Sequence, residues 1–414
     1  MAGAHDSPRR FQRVLSTIRA RPAWLLVALA VMGFQGLLLG VYFARGKSAV
    51  DFARVAPMFV DASHRSTIIV PSRFGFGRNT VGRGADQLGY DGQFYLFMAL
   101  DPVNSRYYLD DPAYRLQRPL YPAVSRLIAG GDPSVVPFTM LLVNLLAAGV
   151  GTAATALILA RRGRSAWWAL LYGLAPGLTL SVHRDLTEPL AYGLSAAGVW
   201  CLTREGAGSY LPAGLLFGLA GLTREPSLAF PVCYALARAR ADRRRPGRAA
   251  WMPATSILML GVVPYLGWIV FLRLWLGSWP TAGLPLFIGP VPFHYLFDQP
   301  WAWSRQPAVL IGVVLPTVLW LGVIFAMRRR LTAPLGCALL AALAFVVFAT
   351  EFTSYADSGR AMLSVSVPML FAFSAVMAAG RRIRLAYFAG FATLMLVLPG
   401  VVLVDLLNIA GPGH

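Results

Sequence analysis

The chain has 414 residues, of which 57% are apolar and only 13% charged, whereas soluble domains carry about 25% charged residues. Its net charge of +19 comes from 36 Arg and a single Lys, Lys47, against 14 Asp and 4 Glu. The first ratio excludes an ordinary soluble domain. The second does not signal nucleic-acid binding, because the arginines are scattered over loop ends rather than gathered on one folded face.

The apolar residues fall in blocks of about 18 to 25, near the roughly 20 that a helix needs to cross a bilayer. The first block, 23–43, follows a basic N-terminus, 1–22, that holds Arg9, Arg10, Arg13, Arg19 and Arg21. It is too long for the core of a signal peptide and lacks a convincing cleavage site. It therefore reads as a first transmembrane helix with its basic end in the cytoplasm. Further blocks at 137–159, 166–183, 187–203, 251–276, 308–327, 332–350, 361–379 and 385–407 predict an all-α transmembrane bundle over 137–407. Arginine clusters at 161–164, 204, 238–248, 328–330 and 381–384 then lie on one side, as the positive-inside rule requires. The tail, 408–414, is placed outside.

Arg204 and the 238–248 cluster both fall inside, yet only 33 mostly apolar residues separate Arg204 from Arg238. Thr223-Arg224-Glu225-Pro226 stands at the centre of that stretch, where a proline after a charged pair breaks a helix. The expectation is a re-entrant hairpin over 210–237, with short helices at 210–222 and 226–237, which brings the count to about 11 membrane helices. A charge at the tip costs several kcal/mol unless it lines a cavity or finds a partner. Arg224 and Glu225 are therefore site candidates; the plainer alternative is that they pair with each other. With this topology only Asp6, Glu205 and Asp242 are cytoplasmic, and the acidic chemistry lies outside. Cys201, Cys233 and Cys337 all sit in apolar segments, so neither a disulfide framework nor zinc spacing is present.

The first outer loop, 44–136, is the one long loop, and long loops in compact proteins are usually functional or disordered. Two short pieces in it have helical spacing: 91–100, with Phe94, Phe97 and Met98, and 120–128, with Leu120, Val124, Leu127 and Ile128. Too short to span, they are expected to lie in the interface with aromatic residues toward lipid. Asp91 stands at the start of the first piece, where an Asp can serve merely as an N-cap. The segment Tyr114-Arg115-Leu116-Gln117-Arg118-Pro119-Leu120-Tyr121-Pro122 adds two guanidiniums and two phenols, a set that suits an anionic, hydroxylated ligand. Asp110-Asp111-Pro112 is compatible with a divalent-metal site and equally with a turn. His183 and Asp185 stand just before Glu188, for which the positive end of a helix is reason enough by itself, with a role toward sugar hydroxyls or an arginine as the alternative. His294, in the aromatic outer loop 279–303, reads as an interfacial residue.

Tyr90-Asp91-Gly92-Gln93-Phe94-Tyr95-Leu96-Phe97-Met98-Ala99, followed by Arg118-Pro119-Leu120-Tyr121-Pro122, resembles the GT-C superfamily of membrane glycosyltransferases, within it the PIG-V-like mannosyltransferases. Those enzymes carry Trp-Asp-Gly-x-(Trp/Tyr)-Tyr-x-x-Ile-Ala and then Phe-Pro-Leu-Tyr-Pro. Asp185-Leu186-Thr187-Glu188-Pro189 is similar to the family's Tyr-(Ser/Thr)-Glu-Ser. Gly218-Leu219-Ala220-Gly221-Leu222-Thr223-Arg224 is similar to its Gly-Leu-Ala-x-Leu-Thr-Arg, and Gly359-Arg360-Ala361-Met362 with Pro368 to its Arg-Tyr-x-x-x-x-x-Pro. Tyr90, Pro189 and Ala361 depart from the family's Trp, Ser and Tyr.

The resemblance implies a GT-C-like bundle and transfer of a monosaccharide, mannose in the family, from a polyprenyl-phosphate donor to an acceptor hydroxyl at the outer face, with inversion. It places the general base on Asp91. Tyr90, Gln93, Tyr95, Arg115, Arg118, Tyr121, Glu188, Arg224, Glu225 and Arg360 become candidate substrate-binding residues, with the arginines suited to phosphate. It implies no cofactor; a divalent metal is compatible with it but not required by a monophosphate donor. The partners implied are the donor lipid, a glycan, lipid or protein acceptor, and the bilayer, with no nucleic acid. The Arg-, Ala- and Gly-rich composition is associated with GC-rich bacterial genomes and hence with the inner (cytoplasmic) membrane, N-terminus inside and C-terminus outside. The competing class is a transporter or flippase of a lipid-linked sugar, which also uses broken helices and intramembrane charges.

Overall fold

The computed structural model describes residues 22–56, 89–204, 207–242, 252–280, 307–348 and 355–403. The basic N-terminus, Glu205, most of the 238–248 arginine cluster, the loop around His294 and the C-terminal tail lie outside the described residues. Those described are all-α: no strand occurs among them.

In chain order the principal helices are α1 (Ala23–Ala44), α2 (Gly92–Leu100), α3 (Pro112–Leu116), α4 (Leu120–Ile128), α5 (Val136–Arg161) and α6 (Pro176–Val182). They continue with α7 (Glu188–Leu202), α8 (Tyr210–Thr223), α9 (Ala229–Asp242) and α10 (Met252–Leu276), then α11 (Pro307–Ala326). The last are α12 (Ala333–Phe348), α13 (Tyr355–Ala361) and α14 (Leu363–Phe371), and α15 (Arg381–Leu403). Five of these, α1, α5, α10, α11 and α15, are long and apolar enough to cross a membrane, which makes the chain an integral membrane protein. Their lipid-type surfaces remain open: Leu37 on α1, Leu274 on α10 and Leu396 on α15 are 68%, 80% and 70% exposed.

α8 and α9 form the hairpin expected over 210–237. Each has 14 residues, about 21 Å of helix, and a short 3₁₀ turn, Glu225–Leu228, joins them. The block at 166–183 is not one helix. Pro176 opens α6, and the clash of its ring with the preceding residue holds Ala175 extended at φ −55°, ψ 130°. The block at 361–379 is likewise divided, between α14 and a short helix Phe373–Met377.

The long first loop corrects one expectation. α2 does not lie on the interface with its aromatics toward lipid: all nine of its residues are buried. It packs among Tyr121 of α4, Val136 and Met140 of α5 and Leu272 of α10. α4 is the amphipathic piece, with Tyr121, Pro122 and Ser125 buried while Leu127 and Ile128 are 79% and 51% exposed.

The two ends of the bundle differ. At one end Arg161 donates to the Thr203 carbonyl at 2.8 Å and Arg162 to the Phe371 carbonyl, which gathers the C-terminal ends of α5, α7 and α14. The opposite end holds the starts of α5, α7 and α14, the hairpin tip and the long first loop. α2 enters that end through a close backbone approach: a Cβ on Gly92 would overlap the Arg184 carbonyl oxygen and press on Ala53. Gly33, by contrast, has nothing within 4 Å of such a Cβ.

Gly92→Ala is therefore expected to lower stability by about 1–3 kcal/mol, and Gly33→Ala to leave it unchanged. Thermal unfolding of both variants in lipid nanodiscs checks this; equal stability of the two would contradict the packing described.

Candidate functional site

Asp91 occupies the N-cap position of α2, yet its side chain makes no capping hydrogen bond. Its carboxylate is turned instead toward two guanidiniums. Arg115 Nη1 donates to Oδ1 at 2.9 Å, and Arg360 Nη2 donates to Oδ2 at 2.6 Å. Burial by itself would raise the Asp91 pKa, but Arg360 and then Arg115 outweigh it and hold the carboxyl well below the usual carboxylate range. The group is ionised at any physiological pH.

α3 presents Arg115, and Arg118 follows just past its end. Asp111 caps it by accepting the Tyr114 N–H at 3.1 Å, with Pro112 in the first turn, where its missing N–H costs nothing. Arg115 is then clamped from behind: Asp110 accepts its Nε and Nη2 hydrogens, both at 2.9 Å, and the guanidinium lies 4.1 Å from the centre of the Phe94 ring. Only Nη1 is left to face Asp91. Arg118 is more completely engaged. It grips Glu225 with two hydrogen bonds of 2.8 and 2.7 Å and donates to the Tyr95 and Tyr114 hydroxyls at 3.1 and 3.2 Å. With 2% of its side chain exposed, Arg118 is a strut between the first loop and the hairpin tip.

The hairpin tip sends its two charges to different partners, so Arg224 and Glu225 do not simply neutralise each other. Arg224 reaches Glu188, the first residue of α7, at 3.1 Å, and Thr187 at 3.4 Å. Glu188 is wholly buried and also lies 3.8 Å from Arg360 Nε. Arg360 thus stands between Asp91 and Glu188, and its guanidinium is 5.3 Å from the Tyr90 ring centre. Arg184 covers the same ring at 4.6 Å. Ion pairs link Asp110, Arg115, Asp91, Arg360, Glu188 and Arg224 in that order, and the Arg118–Glu225 pair stands beside them, joined through the backbone at Arg224-Glu225, so that four guanidiniums balance four carboxylates.

Of the residues singled out from sequence, Tyr90, Asp91, Arg115, Arg118, Glu188, Arg224, Glu225 and Arg360 come together. Tyr95 forms the layer behind, through Arg118. Gln93 and Tyr121 are directed elsewhere: Gln93 Oε1 accepts the Ala56 N–H at 2.9 Å, and the Tyr121 hydroxyl meets the Met140 carbonyl at 3.1 Å. His183 packs against the Tyr42 ring, 5.4 Å between centres. Asp110 and Asp111 are the clamp and the cap just described, and no group of three or more His, Cys, Asp or Glu among the described residues is placed to hold a metal. Tyr114, one of the two phenols of the 114–122 segment, supports Arg118, and Arg184 is a residue the sequence does not mark beyond its place beside Asp185 between two apolar blocks.

No protein-family model matches the chain, and no curated protein is similar to it in sequence. What the site can do must be argued from its geometry. Two planar guanidiniums that converge on one partly exposed carboxylate can bind an oxyanion through paired N–H donors.

Glu225→Gln would leave Arg118 charged, buried and without its counter-ion. The expected loss is about 2–3 kcal/mol, at the low end for a buried pair because Glu225 keeps 32% of its side chain exposed. Unfolding of the variant in nanodiscs checks this, and an unchanged stability would show that the pair does not tie the hairpin to the loop.

Proposed function

We propose that this protein is an integral membrane glycosyltransferase of the GT-C type, similar to the PIG-V-like mannosyltransferases, with about 11 crossings once the short paired helices are counted as membrane-embedded. It moves a monosaccharide from a polyprenyl-phosphate donor to an acceptor hydroxyl at the extracytoplasmic face. The observation that supports this most is the placement of Asp91: a carboxylate at a helix start, not spent on capping, flanked by Arg115 and Arg360.

The reaction needs a base for the acceptor hydroxyl and cations for the departing phosphate. The acceptor oxygen attacks C1 of the sugar, the bond between C1 and the phosphate oxygen breaks with its electron pair leaving on the phosphate, and Asp91 takes the hydroxyl proton. One displacement inverts the anomeric centre. A phosphate is a good enough leaving group to depart without a general acid. Arg115 and Arg360 stabilise the charge that develops on it, a preorganised electrostatic effect of the kind that usually dominates catalysis.

The resting ion pairs impose a condition. A carboxylate held by two guanidiniums is a weak base, and an efficient base has a pKa nearer the working pH. Donor phosphate that engages Arg115 and Arg360 competes with Asp91 for the same N–H groups and so restores its basicity. Donor binding therefore precedes proton abstraction. Arg118, saturated by Glu225, Tyr95 and Tyr114, supports the loop rather than the phosphate.

The test uses the full chain in nanodiscs with a panel of polyprenyl-phosphate monosaccharides. Asp91→Asn is expected to lower turnover by about 10²- to 10⁴-fold, yet to bind polyprenyl phosphate more tightly than wild type, because the internal competitor is gone. Turnover that survives in Asp91→Asn, or absence of turnover with every donor in the wild type, contradicts the reading. In the wild type the acid limb of kcat/KM assigned to Asp91 should lie below the usual carboxylate range, since the free enzyme holds that group ionised as pH falls. A limb at or above that range would show that Asp91 is not the base.

A further inference from the structure

Among the described residues four helices end with the same reversal, in which one residue takes the left-handed conformation and the next N–H bonds back five residues. α1 does so at Gly46 (φ +80°), with Lys47 N–H on the Tyr42 carbonyl, and α4 at Gly130 (φ +62°), with Gly131 on Arg126. α5 does so at Gly163 (φ +67°), with Arg164 on Leu159. Glycine is the residue this position favours. α6 ends in the same way, with Leu186 N–H on the Ser181 carbonyl at 3.0 Å, but its left-handed residue is Asp185, φ +50°. A side chain is kept where the backbone would prefer none.

That side chain is wholly buried, and among the described residues no Arg, Lys or His pairs with it. Among those residues its one hydrogen-bond neighbour is the Tyr121 hydroxyl, 3.3 Å from Oδ1, and none is a hydrogen-bond partner of Oδ2. The Tyr121 hydroxyl has a single hydrogen. It accepts the Asn144 Nδ2 hydrogen at 2.8 Å and faces two acceptors, the Met140 carbonyl at 3.1 Å and Asp185. If the hydrogen goes to the nearer carbonyl, Asp185 meets the phenol oxygen with a hydrogen only by carrying one itself. A buried carboxylate with no cation and one shared donor is costly, whereas a carboxylic acid donating to the phenol oxygen fills its second lone pair.

We infer that Asp185 is a proton-binding site: a buried carboxylic acid that stays neutral and uses its proton to fasten the turn before α7 to Tyr121. The titratable groups around it are Tyr121 on α4, Tyr95 on α2 behind that ring, with ring centres 6.1 Å apart, and Glu188, Arg184 and His183 on its own segment. Arg184 is drawn to the Tyr90 ring and Glu188 to Arg224, which leaves the Asp185 carboxyl without a counter-charge. Three residues on, Glu188 opens α7 and bears on Arg224 and Arg360, so Asp185 acts as a positioning residue for that side of the site. This does not rest on the glycosyltransferase reading; it follows from the turn, the burial and the hydrogen count.

The test is difference infrared spectroscopy of the full chain in lipid, wild type minus Asp185→Asn, at neutral pH. The expected result is a protonated-carboxyl C=O band that shifts in D₂O and is missing from the variant. Asn is neutral and tolerates the left-handed conformation; should it fail to fold, Asp185→Gly, which suits the backbone, serves the same comparison. Thermal stability supplies the second readout. Wild type should lose stability relative to the variant as pH rises above the ordinary carboxyl range, because the unfolded chain releases the proton while the folded chain keeps it. Absence of the band, its appearance only after sodium or divalent ions are removed, or a stability difference that does not fall with rising pH would each overturn the inference.

Discussion

Asp91 shares one carboxylate between Arg115, 24 residues away, and Arg360, 269 residues away. Through that pair of contacts a segment of the long first loop is held against a helix near the far end of the chain, and the other ion pairs extend from it. Arg115 is fixed by Asp110, Arg360 leads to Glu188, Glu188 to Arg224, and the hairpin tip returns through Glu225 and Arg118 to the loop. Each buried charge in the ring has a partner from a different element. Removal of one member leaves its neighbour charged in a place that water hardly reaches, which costs far more than an exposed ion pair contributes.

The network also explains why helices of unequal length meet at one end. α8 and α9 are too short to be held by lipid-facing length alone, and their tip carries a charged pair that would be expensive in an apolar setting. Glu188 and Arg118 meet those charges, and the close approach at Gly92 lets α2 sit deep enough for Asp91 to face Arg360. Backbone proximity and charge pairing thus fix the same geometry. What results is a pair of guanidiniums converging on one internal carboxylate, the arrangement on which the proposed phosphate site rests.

Much of this was legible in the sequence because apolar periodicity reports local structure directly. α5, α10, the hairpin and the two short loop helices fall within a few residues of where the spacing puts them, and the residues that carry charge into apolar blocks are the ones that meet. The partners were not legible. Arg224 and Glu225 are neighbours in sequence, yet one turns to Glu188 and the other to Arg118, because a 3₁₀ turn after an extended Arg224 directs successive side chains apart. Helical spacing in 91–100 identifies a helix but not what covers it, so the same aromatics that fit a lipid interface fit a protein core. The break before Pro176 could be anticipated from the ring clash alone; the acid at the left-handed position of Asp185 could not, since the sequence does not show which residue reverses the chain.

Under the proposed function the arginines around Asp91 receive the phosphate of a membrane lipid. The most direct measurement is photo-crosslinking of a polyprenyl-phosphate analogue, reactive near its phosphate, to the intact protein in lipid, followed by peptide mapping. Labelling is expected in the segments around residues 89–118 and 355–363, with competition by unlabelled polyprenyl phosphate. Labels confined to lipid-facing surfaces such as α10, or labels in the site that the unlabelled lipid does not displace, would contradict it.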